Sequence, residues 1–509
     1  MESDRKAVAG FIALCGFTLA ALARAAFAQQ PTPTAAPDAG AGSAAACRQP
    51  ASSDVSERER VLLERIERME RRLGELESRS GATPTTMGSA ATTTPPAGLS
   101  NAAPTNVVAQ QNPAPPAAAT TSQRPNHAAH TIRKAPPPSA AWDKDGVKII
   151  PYGILIANVN YNTSALVPGS WSAFATPDVL PDTDQFNVSP GNTYLGVDVK
   201  WPKIGQWEIN GKVDFNLRGT LPLTANNIFQ LQFVHIYGEA RTERYRVLAG
   251  QTEDVVAPLI PNTLNQYPIT FIPGSLGYFR PQVRFETFQP VSDNFTLIFQ
   301  GAVAQAIQTF DVGEGVIGRQ TGAPDGQVRV ALGYGKPAPN DPLQKRPFEL
   351  GLSGHIGERR GTLLTIPAIE RDFTSWSGTV DLSFKIGGKV RFEGEFFSGS
   401  VLGDYAGGVF QTFNPDRGVA IRAAGAWAQL TYDINDQWQV NGGYGRDDPY
   451  NRDLSFGRRS LNEMGFGNVF YRITPRLWVA LELAHWRTRW VGLPTGSAFR
   501  VEPAVLFFF

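Results

Sequence analysis

From about Trp142 onward, apolar and polar side chains alternate in segments of about ten residues. The segment 207–218 is the clearest. Trp207, Ile209, Gly211, Val213, Phe215 and Leu217 share one parity, and Glu208, Asn210, Lys212, Asp214, Asn216 and Arg218 the other. Successive side chains of a strand point to opposite faces, so this is a strand with one greasy and one charged face. The same alternation runs through 194–201, 278–286, 293–300, 326–334, 347–356, 376–386, 389–397, 437–444 and 477–483. A face as polar as the second one in 207–218 is expected to meet water rather than a packed core. Repeated this often, the pattern predicts an all-β fold: a transmembrane antiparallel β-barrel with lipid outside and water inside. A soluble sandwich or propeller alternates in the same way with its apolar face inward.

The two ends of the chain favour the barrel. The last residues place Phe499, Val501, Pro503, Val505, Phe507 and Phe509 on one face, with Arg500, Glu502 and Ala504 on the other. Termini usually fray, so a final strand this apolar needs cover. Pairing with the first strand of a closed barrel, with lipid against the outer face, supplies it. At the other end, Arg5 and Lys6 precede an apolar run from Ala7 to Ala23, and Ala26-Phe27-Ala28 precedes Gln29. That layout predicts a signal peptide over 1–28. Arg24 keeps the run shorter than the ~20 residues a spanning helix needs.

Strand-like segments number about sixteen, an even count that leaves an aqueous channel. Tight turns are expected near Pro202–Gly205, Asp293-Asn294, Gly387-Gly388, Asn435-Asp436 and Thr474-Pro475, and long loops at 162–191, 306–325, 358–374, 399–418 and 446–460. The connection 252–276 differs, being apolar in parts and punctuated by Pro258, Pro261, Pro268 and Pro273. Such a segment is expected to fold inward and narrow the channel.

Ahead of the barrel domain, 142–509, the pattern changes three times. Residues 29–53 are Ala/Pro-rich and expected to be disordered. Over 54–78, Asp54 and Glu57 make a capping-box start, and Val55, Leu62, Ile66, Met69, Leu73 and Leu76 fall on heptad positions a and d. Arg65 and Arg72 at g face Glu70 and Glu77 at e, the arrangement of a parallel coiled coil that joins copies of the chain. A single amphipathic surface helix is the plainer alternative. Residues 79–141 form a Pro/Ala/Thr-rich linker.

Charge and composition then remove whole classes. With 47 Lys+Arg against 46 Asp+Glu, the chain lacks the basic excess of a nucleic-acid binder. Cys15 leaves with the signal peptide, so Cys47 is the only thiol of the mature chain, and no internal disulfide or thiolate cluster forms. It is an unpaired residue or a crosslink between copies. His235, His355 and His485 have no Ser or acid partner at a telling spacing. No enzyme, metal or cofactor is expected.

"LAGQTEDVVAPLIPNTLN" at 248–265 and "PGSLGYFRPQVRFE" at 273–286 resemble the DcaP-like family of outer-membrane porins, as does the order signal peptide, coiled coil, linker, barrel ending in Phe. The resemblance implies a homotrimer of sixteen-stranded barrels, an inward-folded third loop, and diffusion of small anionic solutes such as dicarboxylates. It carries over to Gln251, the loop Thr252–Leu276, and Arg280, Gln282 and Arg284. Parity alone also puts Arg280, Gln282 and Arg284 in the lumen, where paired arginines suit carboxylates. Lys212, Arg218, Arg246 and Arg329 extend this basic wall, Glu253 and Asp254 begin the loop, and Arg391, Glu393 and Glu395 share one face. Acid facing base across a constriction makes a transverse field that orients solutes; mutual pairing of these charges is the alternative. The functional expectation is an outer-membrane porin for small polar or anionic solutes, with its N-terminal extension in the periplasm. A structural anchor joining membrane and periplasm is the second reading.

Overall fold

The structure, a computed structural model, describes residues 141–179, 183–218, 230–268, 271–307, 319–336, 346–363 and 369–509. The signal peptide, the coiled coil with Leu62, Ile66, Met69, Leu73 and Leu76, and all of the linker before Ala141 lie outside the described residues.

Sixteen strands follow one another around the wall. They are β1 (Val147–Asn162), β2 (Tyr194–Lys200), β3 (Glu208–Asn216), β4 (Gln232–Arg241), β5 (Tyr245–Glu253), β6 (Phe279–Pro290), β7 (Phe295–Ala304) and β8 (Asp325–Tyr334). The second half is β9 (Phe348–Leu363), β10 (Ile369–Ile386), β11 (Val390–Ser400), β12 (Arg422–Asp433), β13 (Trp438–Pro449), β14 (Arg459–Arg472), β15 (Leu477–Trp490) and β16 (Leu493–Phe508). Each pairs antiparallel with its neighbours, and Gln185–Ser189 prolongs the β2 side of the ladder along β1. The barrel closes because β16 pairs with β1, Phe508 opposite Ile154 and Ala504 opposite Asn158. Closure leaves no unpaired edge, which a strand wall in hydrocarbon requires.

One end carries short turns. Asn435 accepts backbone N–H bonds from Gln437 and Trp438 at 2.8 and 2.9 Å, and Thr474 accepts them from Arg476 and Leu477 at 3.2 and 3.0 Å. These are the side-chain-mimicked turns that Asn and Thr favour. Gly387, at φ +62°, takes a left-handed position open to it at no steric cost. The outward parity exposes Val283, Phe285, Leu352, Ile356, Leu430, Val505 and Phe507. Trp201, Tyr245, Tyr432 and Trp438 are exposed toward the short-turn end, as an interfacial aromatic girdle would be.

Two connections differ from expectation. Much of the long loop expected over 358–374 is strand, because β9 runs 16 residues to Leu363 and β10 runs 18 from Ile369. Near 358–362 and 370–374 the outward residues Glu358, Arg360, Thr362, Glu370, Asp372 and Thr374 are polar, so the alternation vanishes although pairing continues, with Arg360 bonded to Asp372 at 2.7 Å. Between β15 and β16 the chain turns in two residues, 491–492, with Gly492 at φ +74°.

The larger correction concerns the interior. Water was expected against the polar inward face with only the loop 252–276 folded in, yet Asp214, Arg280, Asn441 and Glu502 are all 1% exposed or less. Parts of loop 1 (residues 163–179), loop 3 (254–278) and loop 6 (401–421) fold into the barrel and pack there. Loop 3 sets Leu264 and Tyr267 among Phe470, Trp478, Leu506 and Phe508, while Leu166 of loop 1 and Ile272 of loop 3 join Trp427, Met464, Phe466 and Trp486. The inward faces of β14–β16 meet the loops with both apolar side chains and polar ones, Asn462 and Asn468 holding the carbonyls of Ala173 and Asn262 at 2.8 Å.

Candidate channel constriction

Loop 3 begins where β5 ends, and its backbone amides are bonded to one strand after another. Val255 N–H donates to Gln327 on β8 at 2.8 Å, and Ala257 N–H to Ser353 on β9 at 3.2 Å. Leu259 N–H reaches Glu395 on β11 at 2.6 Å, and Asn262 N–H reaches Gln429 on β12 at 2.6 Å. The Asn262 side chain donates to Gln439 and Asn441 on β13, both at 2.9 Å. Leu264 N–H and the Thr263 hydroxyl end on Glu482 of β15 at 2.7 and 2.6 Å. A segment with four prolines has few amides to leave unpaired, and the wall supplies acceptors for those it keeps.

The return path needs bare backbone. Gly274 has φ +89°, and a Cβ there would lie 2.1 Å from the Ala426 carbonyl oxygen. Facing it, a Cβ on Gly445 of β13 would lie 2.0 Å from the Pro273 carbonyl oxygen. Loop and wall thus meet glycine to backbone.

The strands beside the start of loop 3 carry the arginines. Arg280, Gln282 and Arg284 all face inward, as their parity requires. Arg284 donates to Gln282 at 2.9 Å, to Glu286 at 3.3 Å and to the Glu253 carbonyl oxygen. Gln282 holds that same carbonyl at 2.9 Å. Arg246 bridges Glu239 and Glu286, at 2.6 and 3.2 Å, and Arg329 bridges Asp381 and Glu349, at 2.5 and 2.9 Å. Lys212 sits 3.0 Å from Asp198 and 3.6 Å from Asp214. Arg218 holds the Gln266 side chain and carbonyl at 2.7 and 3.1 Å, anchoring the far end of loop 3. Gln251 faces outward instead and donates to the Phe233 carbonyl at 2.6 Å.

Arg280 is the centre of a denser cluster. It lies 2.6 Å from Asp254, 3.1 Å from Asp325 and 3.3 Å from Asp404. Arg359 on β9 binds Asp325 through two bonds of 2.8 and 2.6 Å and takes Asp404 as well. The Arg280 guanidinium rests 3.7 Å over the Tyr405 ring, whose other face stacks on His355 at 3.8 Å. Burial pushes the Tyr405 hydroxyl well above its usual range, although Arg280 pulls the other way. It therefore stays protonated and donates to Asp325 at 2.8 Å. The pairing of Glu253 with the cluster is indirect: its carboxylate is 3.6 Å from Arg284 and 3.4 Å from His235.

Across the lumen, Glu393 accepts from Gln429 at 2.8 Å, Glu395 accepts from Trp427 at 2.9 Å, and Arg391 donates to Ser383 at 2.9 Å. The structure thus gathers Arg280, Gln282, Arg284, Glu253 and Asp254 at the root of loop 3, and Glu395 further along it. Arg359, Asp325, Asp404 and Tyr405 were not singled out by the sequence. Alternation extended up β9 would have marked Arg359 as inward; nothing local marks Asp404.

No family model and no curated protein matches the sequence. Among solved structures, the chain is similar to the outer-membrane channel DcaP of Acinetobacter baumannii, at 17% identity over 73% of this chain and 100% of that one, with a TM-score of 0.59. An anion-selective porin from Comamonas acidovorans aligns at 12% identity over 71% of this chain and 100% of that one, with a TM-score of 0.45. The resemblance to DcaP holds at the level of fold: the described residues form a closed, sixteen-stranded antiparallel barrel.

Proposed function

We propose that the protein is an outer-membrane porin for passive diffusion of small polar or anionic solutes, dicarboxylates among them, past the constriction formed by loop 3 and the arginine wall. The observation that carries this reading is the row of arginines beside the root of loop 3. Arg246, Arg280, Arg284, Arg329 and Arg359 stand on β5–β9 beside Glu286 and Asp325, while on β11–β16 Glu393, Glu395, Glu482 and Glu502 stand beside Arg391, Arg459, Arg472 and Arg500. Fixed charges of both signs around a constriction orient a dipolar solute, and arginines favour the end of it that carries a carboxylate. Extensive pairing among these charges weakens the field, so selectivity rests on placement rather than on net charge.

The test is conductance in a planar bilayer under a salt gradient. An anion-selective reversal potential supports the arginine wall, and Arg280→Ala with Arg284→Ala should move the preference toward cations. Cation selectivity in the unaltered protein keeps the porin and discards that wall. Steps in threes would support a homotrimer. A chain beginning at Trp142 should keep its barrel and lose heat resistance of the assembly if residues 54–78 join the copies.

The packing of loops 1, 3 and 6 inside the barrel favours a second reading, an anchor that ties the membrane to a periplasmic partner through the N-terminal extension. Absence of conductance under all salts would shift the weight to it.

A further inference from the structure

We propose that Arg280 and Arg359 form a binding site for a small carboxylate, and that the chain's own Asp404 fills it until a solute carboxylate takes its place. This rests on the porin reading and names how the constriction would yield to its solute. The two arginines belong to the wall, on β6 and β9, whereas Asp404 arrives on loop 6. Its Oδ2 accepts from Arg359 Nε at 2.9 Å and from Arg280 Nη1 at 3.3 Å, and Arg280 Nη2 donates to its carbonyl oxygen at 3.0 Å. Those are the bonds two guanidinium forks offer to any carboxylate.

Asp404 is an incomplete occupant. Its Oδ1 is buried with no hydrogen-bond partner, so the loop delivers a carboxylate that uses only one oxygen well. A carboxylate free of the loop turns both oxygens to the donors. Exchange of one carboxylate group for another keeps both guanidiniums paired. Asp325 and Asp254 stay on the arginines throughout and hold them in place.

The loop that carries Asp404 is held against its backbone preference. Val401, Ala406, Val409 and Phe410 have φ of 60°, 64°, 50° and 61°, four of the seven non-glycine residues at positive φ among the described residues. Side chains with a Cβ rarely adopt this region, β-branched valine least of all. Asp404 lies between Val401 and Ala406, where loss of its bonds lets the strain relax. The neighbouring Tyr405 carries the release to loop 3, because its carbonyl accepts the Gly277 N–H at 2.8 Å. Leu402 and Tyr405 also pack on Val256 and Leu276. Withdrawal of loop 6 therefore frees the inner edge of loop 3.

The experiment compares the full-length protein with Asp404→Asn in planar bilayers, in chloride and in succinate of equal ionic strength. Succinate should raise the open probability of the unaltered protein several-fold, and Asp404→Asn should reach that level in chloride with no further response. Conduction with the same chloride and succinate behaviour in both proteins overturns the proposal and leaves the porin intact. No conduction by either protein in either salt overturns both. Independently of conduction, Leu402→Cys, in a chain with Cys47→Ser, reports loop position, since Leu402 is 1% exposed. An impermeant maleimide should label it about tenfold faster in succinate, as expected of a population shift; equal rates in the two salts overturn the proposal.

Discussion

The two walls of the lumen hold their charges in different ways. On β5–β9, arginines meet carboxylates of neighbouring strands: Arg246 with Glu239 and Glu286, Arg329 with Asp381 and Glu349. On β11–β15, Glu395 and Glu482 meet backbone amides of loop 3. The first wall is charge-matched within itself. The second is complete only when the loop is seated, because a buried carboxylate without donors carries its full desolvation penalty. Loop 3 is thus rooted in the first wall and docked on the second.

Removing a charge from the first wall should have the largest effect. Arg280→Ala leaves Asp254, Asp325 and Asp404 buried with only Arg359 among them, at a cost of about 3–5 kcal/mol, read as a lower urea midpoint of the barrel in vesicles. On the second wall, Glu482→Ala leaves the Leu264 N–H and the Thr263 hydroxyl without their acceptor, worth about 1–3 kcal/mol. There the informative readout is conductance, which should rise as loop 3 loosens while the strands persist. If Arg280→Ala and Glu482→Ala proved equally damaging to the strands, the contrast between walls would fail. Gly274→Ala tests docking without touching charge. A Cβ there meets carbonyl oxygen and a strained φ, for about 1–2 kcal/mol and a displaced loop, checked by proteolysis of residues 254–278. Gln429→Ala, which removes a neutral acceptor from Asn262 and one donor from Glu393, should cost about 1–2 kcal/mol.

Much of the first wall was legible in the sequence. Alternation through 278–286 put Arg280, Gln282 and Arg284 in the lumen, and the proline-punctuated apolar stretch marked loop 3. Parity reports which face a side chain takes, however, and not what covers it. Arg280 reads the same whether it meets water or Asp404, and Asp404 comes from a loop 124 positions away. The expectation of water against the polar inward face was too broad where loops dock, and β15 shows why. Trp478, Ala480, Ala484 and Trp486 are apolar on the inward parity of β15, beside outward Val479, Leu481 and Leu483. A strand greasy on both faces is packed on both. The lengths of β9 and β10 escape the sequence because the outward residues of their ends, from Glu358 to Thr362 and from Glu370 to Thr374, are polar and leave no greasy parity to read.

The partners of loop 3 also impose an order of assembly. Thr263 and Glu482 are 219 positions apart, and Asn262 and Asn441 are 179 apart. These bonds cannot form until the last hairpins have joined the wall, and long-range contacts of this kind are slow because chain entropy must be lost first. A barrel still growing from its N-terminal strands therefore has no seat for the loop. The full docking of loop 3 is a property the protein acquires only once β13 and β15 stand in the wall.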